Sequence, residues 1–188
     1  MVRCFELEMI LSKRELKEEY DKLIKEYSLR IDSNEKKFAD SYLKKALHNL
    51  ELAGVLDLLS KDDEIKKTVG ISTKSEYHDW IIISSYYAMY LASTSALAKL
   101  GIKSSTHRSS IIALEYRYCI ETNLLERKYI DMIENASFGR DDIQKLDQAL
   151  KGRVSVQYTV SERYGISEAK RILKDAREFV NKISEIIQ

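Results

Sequence analysis

The chain has 188 residues with 31 basic and 30 acidic side chains, so a net charge of +1 provides no global field to draw it onto nucleic acid or an anionic membrane, and any such site must be local. With 44% hydrophobic and 32% charged residues, few Gly and no Pro, it can bury a core and lacks the make-up of a disordered, collagenous or Pro-rich chain. The two cysteines, Cys4 and Cys119, have no Cys-x-x-Cys spacing, which argues against a thiolate zinc site or a disulfide framework and places the chain in a reducing cytoplasm. The N-terminal MVRCFELEMILSKREL is broken by charge and reads as no targeting signal.

In chain order, Ser12 followed by Glu15 forms a capping box that predicts a helix from Ser12 to about Leu29, with Leu16, Tyr20, Leu23, Ile24 and Tyr27 at helical spacing. Asp32 and Glu35 form a second box opening a longer helix, whose stripe takes in Phe38, Tyr42, Leu43, Ala46, Leu50, Ala53 and Leu56 to Leu59. Residues 60–75, rich in charge, Ser and Thr, read as a surface loop. From Trp80 to Ala92 the chain is uncharged and apolar or aromatic on every face, which predicts a helix buried all round. This helix should begin near Ser75 or Tyr77 and end at Leu100, capped by Gly101. The uncharged run falls short of the roughly 20 residues that span a bilayer, so no transmembrane segment is expected.

A loop, IKSST, then leads to a helix over Thr106–Thr122 capped by Ser105 or Thr106, and two shorter helices are expected at 126–137 and 140–151. The segment GRVSVQYTVSERYG alternates β-branched residues, but no partner strand is evident in the chain, so it reads as an ordered loop. Ser167 caps a terminal amphipathic helix with Ala169, Ile172, Leu173, Ala176, Phe179, Val180, Ile183 and Ile187 on its inner face. These elements add up to an all-α, up-and-down helical bundle.

The familiar catalytic signatures are absent: there is no P-loop, GxGxxG, HExxH or GxSxG. His48, His78 and His107 are far apart, so no metal site or cofactor is expected. The pairs Asp62-Asp63 and Asp141-Asp142 read as surface or helix-start residues. His107 and Arg108 open a predicted helix, where either free amides favour a phosphate or His107 caps or packs the helix start while Arg108 points to water. Tyr86, Tyr87 and Tyr90 either stack bases or belong to the core. Arg140, Arg153, Tyr158 and Arg163 cluster before the last helix and either fork onto a phosphate or pair with Asp141, Asp142 and Glu162.

Taken together, SSYYAMYLASTSALAKLGIKSSTHRSSIIALEY, RVSVQY and SEAKRILKDAREFVNKI resemble the HEPN family in its small archaeal and bacterial members. The resemblance covers residues 35–188 and leaves 1–34 as an added N-terminal helical extension. It implies a homodimeric helical bundle concerned with RNA or nucleotides, in many members paired with a minimal nucleotidyltransferase as toxin and antitoxin. Active members are metal-independent endoribonucleases using an Arg and a His across a dimer cleft. Here those places fall on Ser84 and Leu91, which can supply neither the positive charge nor the proton transfer, so no catalytic residue is assigned. The expected binding residues are His107, Arg108, Arg153, Tyr158 and Tyr87. The leading expectation is a non-catalytic nucleotide-, RNA- or partner-binding protein. The alternatives are an endoribonuclease relocated to His107 with Arg108 or Arg153, and a structural helical adaptor.

Overall fold

The structure is a computed structural model that describes residues 12–151 and 165–188, with side chains described for 12–141 and 165–188. Helix α1 (Lys13–Lys25) starts at the expected capping box: the Ser12 hydroxyl accepts from the Glu15 amide at 3.3 Å, and the Glu15 carboxylate accepts from the Ser12 amide at 2.8 Å. It ends at Glu26, short of Leu29, because Tyr27 turns into the left-handed region at φ 60. Strand β1 (Leu29–Ile31) follows, then a 3-10 turn over Ser33–Phe38. The second expected box is only half formed. Asp32 caps the turn by accepting from the Asn34 amide at 2.9 Å, whereas Glu35 is buried and accepts from Lys103 Nζ at 2.8 Å.

Helix α2 (Ala39–Lys61) lies against α4 (His78–Lys99) through Ala39, Ala46 and Ala53, three fully buried small residues at heptad spacing that let the two backbones approach. Ser95 Oγ donates to the Ala39 carbonyl at 2.7 Å across the same seam. Phe38 and Leu58, expected on the inner stripe, are exposed. The charged stretch after α2 contains a short helix, α3 (Asp63–Thr68), capped by Asp62, which accepts from the Glu64 and Ile65 amides at 3.0 Å. The buried Lys66 ties it down by donating to the Thr73 carbonyl at 2.9 Å.

Helix α4 is the axis of the bundle and packs against α2, α5 (His107–Leu114), α6 (Arg127–Lys151) and α7 (Ile166–Ile187). It is not buried all round. Trp80, Ile83, Tyr87, Tyr90, Leu91 and Thr94, on one helical stripe, are half-buried or, in Trp80, 56% exposed. By length and composition α4 is apolar enough to cross a bilayer, since it runs well beyond the uncharged segment, but 72% of its most apolar window is buried inside the protein.

After α4, Gly101 sits at φ 72, where a Cβ would meet the Asp32 carbonyl at 3.2 Å; only glycine suits this turn. It leads to strand β2 (Ile102–Ser104), which pairs antiparallel with β1 in the register Leu29↔Ser104, Arg30↔Lys103, Ile31↔Ile102. The expected IKSST loop is therefore half a two-stranded ribbon. The ribbon, α1 and α5 enclose a second small core of Leu16, Tyr20, Leu23, Leu29, Leu97, Ile102, Ile112, Ala113 and Tyr116.

The helix expected over Thr106–Thr122 is α5 followed by a π-helical turn, Glu115–Glu121. The wider turn carries Tyr118 inward, where its hydroxyl donates to the Ala96 carbonyl at 2.7 Å. The two short helices expected next are one helix, α6, running through Gly139. A Cβ at Gly139 would lie 3.4 Å from Ile82 and 3.5 Å from Ile172, so the glycine marks a close approach of three helices rather than a break. In α7 all eight residues expected on the inner face are buried, although the helix starts at Gly165 without a side-chain cap, not at Ser167. The ordered loop expected at 152–165 lies outside the described residues except for Gly165.

Candidate anion-binding site

The capping of α5 places His107. The Thr106 hydroxyl accepts from the Ser109 amide at 3.1 Å, Ser109 returns a bond to the Thr106 amide, and His107 becomes the first helical residue with its ring against α4. Its neighbours there are Tyr90, with ring centroids 4.4 Å apart, and Tyr86, at 5.5 Å. The close approach of α6 at Gly139 delivers the next residue, Arg140, to the same spot. Arg140 is 8% exposed, its guanidinium carbon lies 4.5 Å from the centre of the Tyr86 ring, and its Nη1 is 3.1 Å from His107 Nε2. Its other edge grips Asp141, with Nε donating to Oδ1 at 2.9 Å and Nη2 to the same oxygen.

These contacts determine the protonation pattern. A guanidinium only donates, so His107 Nε2 is the acceptor and the ring is neutral, with its proton on Nδ1. That proton is donated to the Tyr86 hydroxyl oxygen, which also has the Ser137 side chain of α6 as a hydrogen-bonding neighbour. The chain of donation thus runs from Arg140 to His107 to Tyr86. Burial, with the Arg140 charge second, holds the His107 pKa below the ordinary imidazole value, opposed by Asp141. Burial likewise drives the Tyr86 phenol well above the usual tyrosine value, keeping it a neutral donor and acceptor despite Arg140.

Of the expected binding residues, the structure brings His107 into this cluster and sets Tyr87 beside it, half-buried with its ring 5.5 Å from that of Tyr86. It does not bring Arg108, which is 76% exposed and turned to α1, donating to Glu19 at 3.1 Å. Arg153 and Tyr158 lie outside the described residues. The partner of His107 is Arg140, and the alternative that Asp141 would pair with it is also realised. Among the described residues there is no group of three or more His, Cys, Asp or Glu that could hold a metal. Cys119 is free, and burial pushes its thiol up to about 12, which makes it a weak nucleophile.

Fold and cluster define an α-helical bundle with a partly buried Arg–His–Tyr network beside the open stripe of its central helix. Ser84 is buried within α4, at 4% exposure, and Leu91 lies on the open stripe. The HEPN domain model matches residues 55–186, from the second half of α2 to the end of α7, and the chain belongs to the HEPN domain family. The match ties the protein to nucleotide- or RNA-related function. No curated protein and no solved structure was matched by the chain.

Proposed function

We propose that this HEPN protein is a non-catalytic, homodimeric component that binds a nucleotide or RNA phosphate and acts beside a small nucleotidyltransferase in a toxin–antitoxin type pair. The observation that carries the binding reading is Arg140, a buried cation whose fork is shared between Asp141 and a neutral His107. A guanidinium held in a largely desolvated place interacts with a phosphate far more strongly than the same group in water. The absence of catalysis follows from Ser84 and Leu91, which offer no cation and no base. The dimer reading rests on the open stripe of α4 and on the neighbouring exposed apolar residues of α2, Leu52, Val55 and Leu58.

A second reading has one observation in its favour. Arg140 and His107 are in contact, so an endoribonuclease relocated to this pair, rather than to His107 with Arg108 or Arg153, has its base and its cation adjacent. Against it, the His107 lone pair a base would need is already taken by Arg140.

The deciding experiment incubates the protein, with and without chelator, with a single-stranded RNA ladder and follows both gel shift and cleavage in the wild type, Arg140→Ala and His107→Gln. Shifted but intact RNA, with the shift lost in Arg140→Ala, is the expected result. Chelator-resistant cleavage abolished in both variants establishes the relocated ribonuclease instead. Sedimentation of wild type and Tyr87→Arg tests the dimer: a species of twice the monomer mass that dissociates in the variant is expected.

A further inference from the structure

The cluster around Arg140 is satisfied by the protein's own groups only while His107 is neutral. In that state His107 Nε2 accepts from Arg140 Nη1 at 3.1 Å. Adding a proton to Nε2 removes that acceptor and sets two N–H donors and two positive charges facing each other across the same gap. The remaining groups do not relieve the conflict. From α4, Tyr86 and Tyr90 face the ring, with Tyr87 behind against Tyr86, and Tyr86 already takes the Nδ1 proton. From α6, Asp141 supplies one negative charge, already bonded through Oδ1 to the far edge of Arg140. On α5 itself Arg108 is turned away to Glu19 of α1.

We infer that this gap is a proton-linked oxyanion site: a phosphate or other tetrahedral dianion inserts one oxygen between Arg140 Nη1 and a protonated His107 Nε2, accepting from both, and binds with uptake of one proton. The bound oxygen replaces the imidazole lone pair as the acceptor for Arg140 and gives the new Nε2–H a partner, so both buried donors stay satisfied. The proton also eases the charge balance. A dianion beside Arg140, Asp141 and a neutral His107 leaves a net charge of about −2, and protonating His107 brings it to about −1. The most open member of the cluster is Asp141, whose side chain is 42% exposed, and entry is from its side, whereas the Tyr86 ring is buried. In the absence of an anion the Arg140–His107 bond keeps the site shut. His107 is thereby a positioning and gating residue whose protonation state sets the affinity. The lowered imidazole pKa of the free protein is consistent with this, since the anion has to draw the proton on.

This inference rests on reading the cluster as a phosphate-binding site, and the test separates the two. The probe is sulfate, which stays doubly charged over the range used, so any pH dependence belongs to the protein. Isothermal titration of the full chain is run at about pH 7.5 and about pH 5.5, each in two buffers of different ionisation enthalpy. The expected result is an affinity that rises by about tenfold per pH unit as pH falls while about one proton is taken up per sulfate. His107→Gln, whose amide oxygen still accepts from Arg140, should bind weakly and equally at both pH values. Arg140→Gln should not bind. Proton uptake in the wild type is read without any variant, so the test survives if a variant fails to fold. Sulfate binding without proton uptake, pH dependence that persists in His107→Gln, or no sulfate binding overturns the proton-linked site. If RNA or a nucleoside monophosphate is still bound and lost in Arg140→Ala, the phosphate-binding reading stands while the proton linkage falls; if neither is bound, both fall.

Discussion

Replacing Tyr86 by Phe removes one oxygen and leaves the ring in place. The ring is 1% exposed and packed against Arg140, Tyr87, Tyr90 and His107, so the substitution opens no cavity and keeps the cation–π contact at 4.5 Å. What is lost is the acceptor for His107 Nδ1–H and the bond to Ser137. A buried donor left without a partner costs about 1–3 kcal/mol, and that is the destabilisation expected for Tyr86→Phe. Tyr86→Ala deletes the ring as well and should cost about 3–5 kcal/mol through the cavity alone. The assay is urea unfolding at neutral pH of Tyr86→Phe, His107→Ala and the double variant. If Tyr86 and His107 share a bond, their effects should fail to add by about 0.5–3 kcal/mol, whereas independent sites add to within about 0.5 kcal/mol. A Tyr86→Phe protein as stable as the wild type, or an additive cycle, would refute the donation chain from Arg140 through His107 to Tyr86.

The same chain predicts a pH dependence. The folded state holds His107 below its unfolded pKa and so binds fewer protons, which means stability from this group is complete above about 6.5 and is lost as pH falls from there toward the folded value; unfolding curves across that window should show the loss in wild type and a smaller one in His107→Gln. Phe179 is fully buried on α7 and meets Tyr129 edge-on at 6.3 Å, so Phe179→Ala should cost about 3–5 kcal/mol, read by urea unfolding. Tyr27 occupies the left-handed position after α1 with its side chain 72% exposed, and Tyr27→Gly should therefore stabilise the protein by about 0.5–1 kcal/mol; equal or lower stability would show that the ring makes an unrecognised contact.

The family and the helical class were legible because both are carried by local signals. Ser12 and Glu15 announce α1 within four residues, and the α7 stripe repeats at 3.6 residues so regularly that every inward residue could be named without a structure. Gly101 is legible for the same reason, since a turn at positive φ needs glycine wherever it occurs. Element ends and partners were less accessible. Glu35 has the spacing of a capping residue, but its carboxylate pairs with Lys103, which reaches it only once β2 lies beside β1.

The two strands show why local reading stops there. Each is three residues long, too short to display alternation, and they lie about seventy residues apart, so each exists only because the other is delivered to it by the helices between them. Gly139 misleads in the opposite direction. Its low helix propensity suggests a break, a cost of about 1 kcal/mol that packing against Ile82 and Ile172 outweighs.

By itself the sequence determined the all-α class and the HEPN membership, and it singled out His107 as a residue of interest. Only the tertiary structure decided what His107 meets. Arg108 stands next to it in the chain and points elsewhere, because consecutive residues on a helix lie about 100° apart and one faces α4 while the other faces α1. Arg140 is thirty-three residues away and touches it, because a glycine lets α6 sit close against α4. A periodic pattern records which side of a helix faces inward, but not which buried side chain of another helix waits there, and it is that pairing which makes the site.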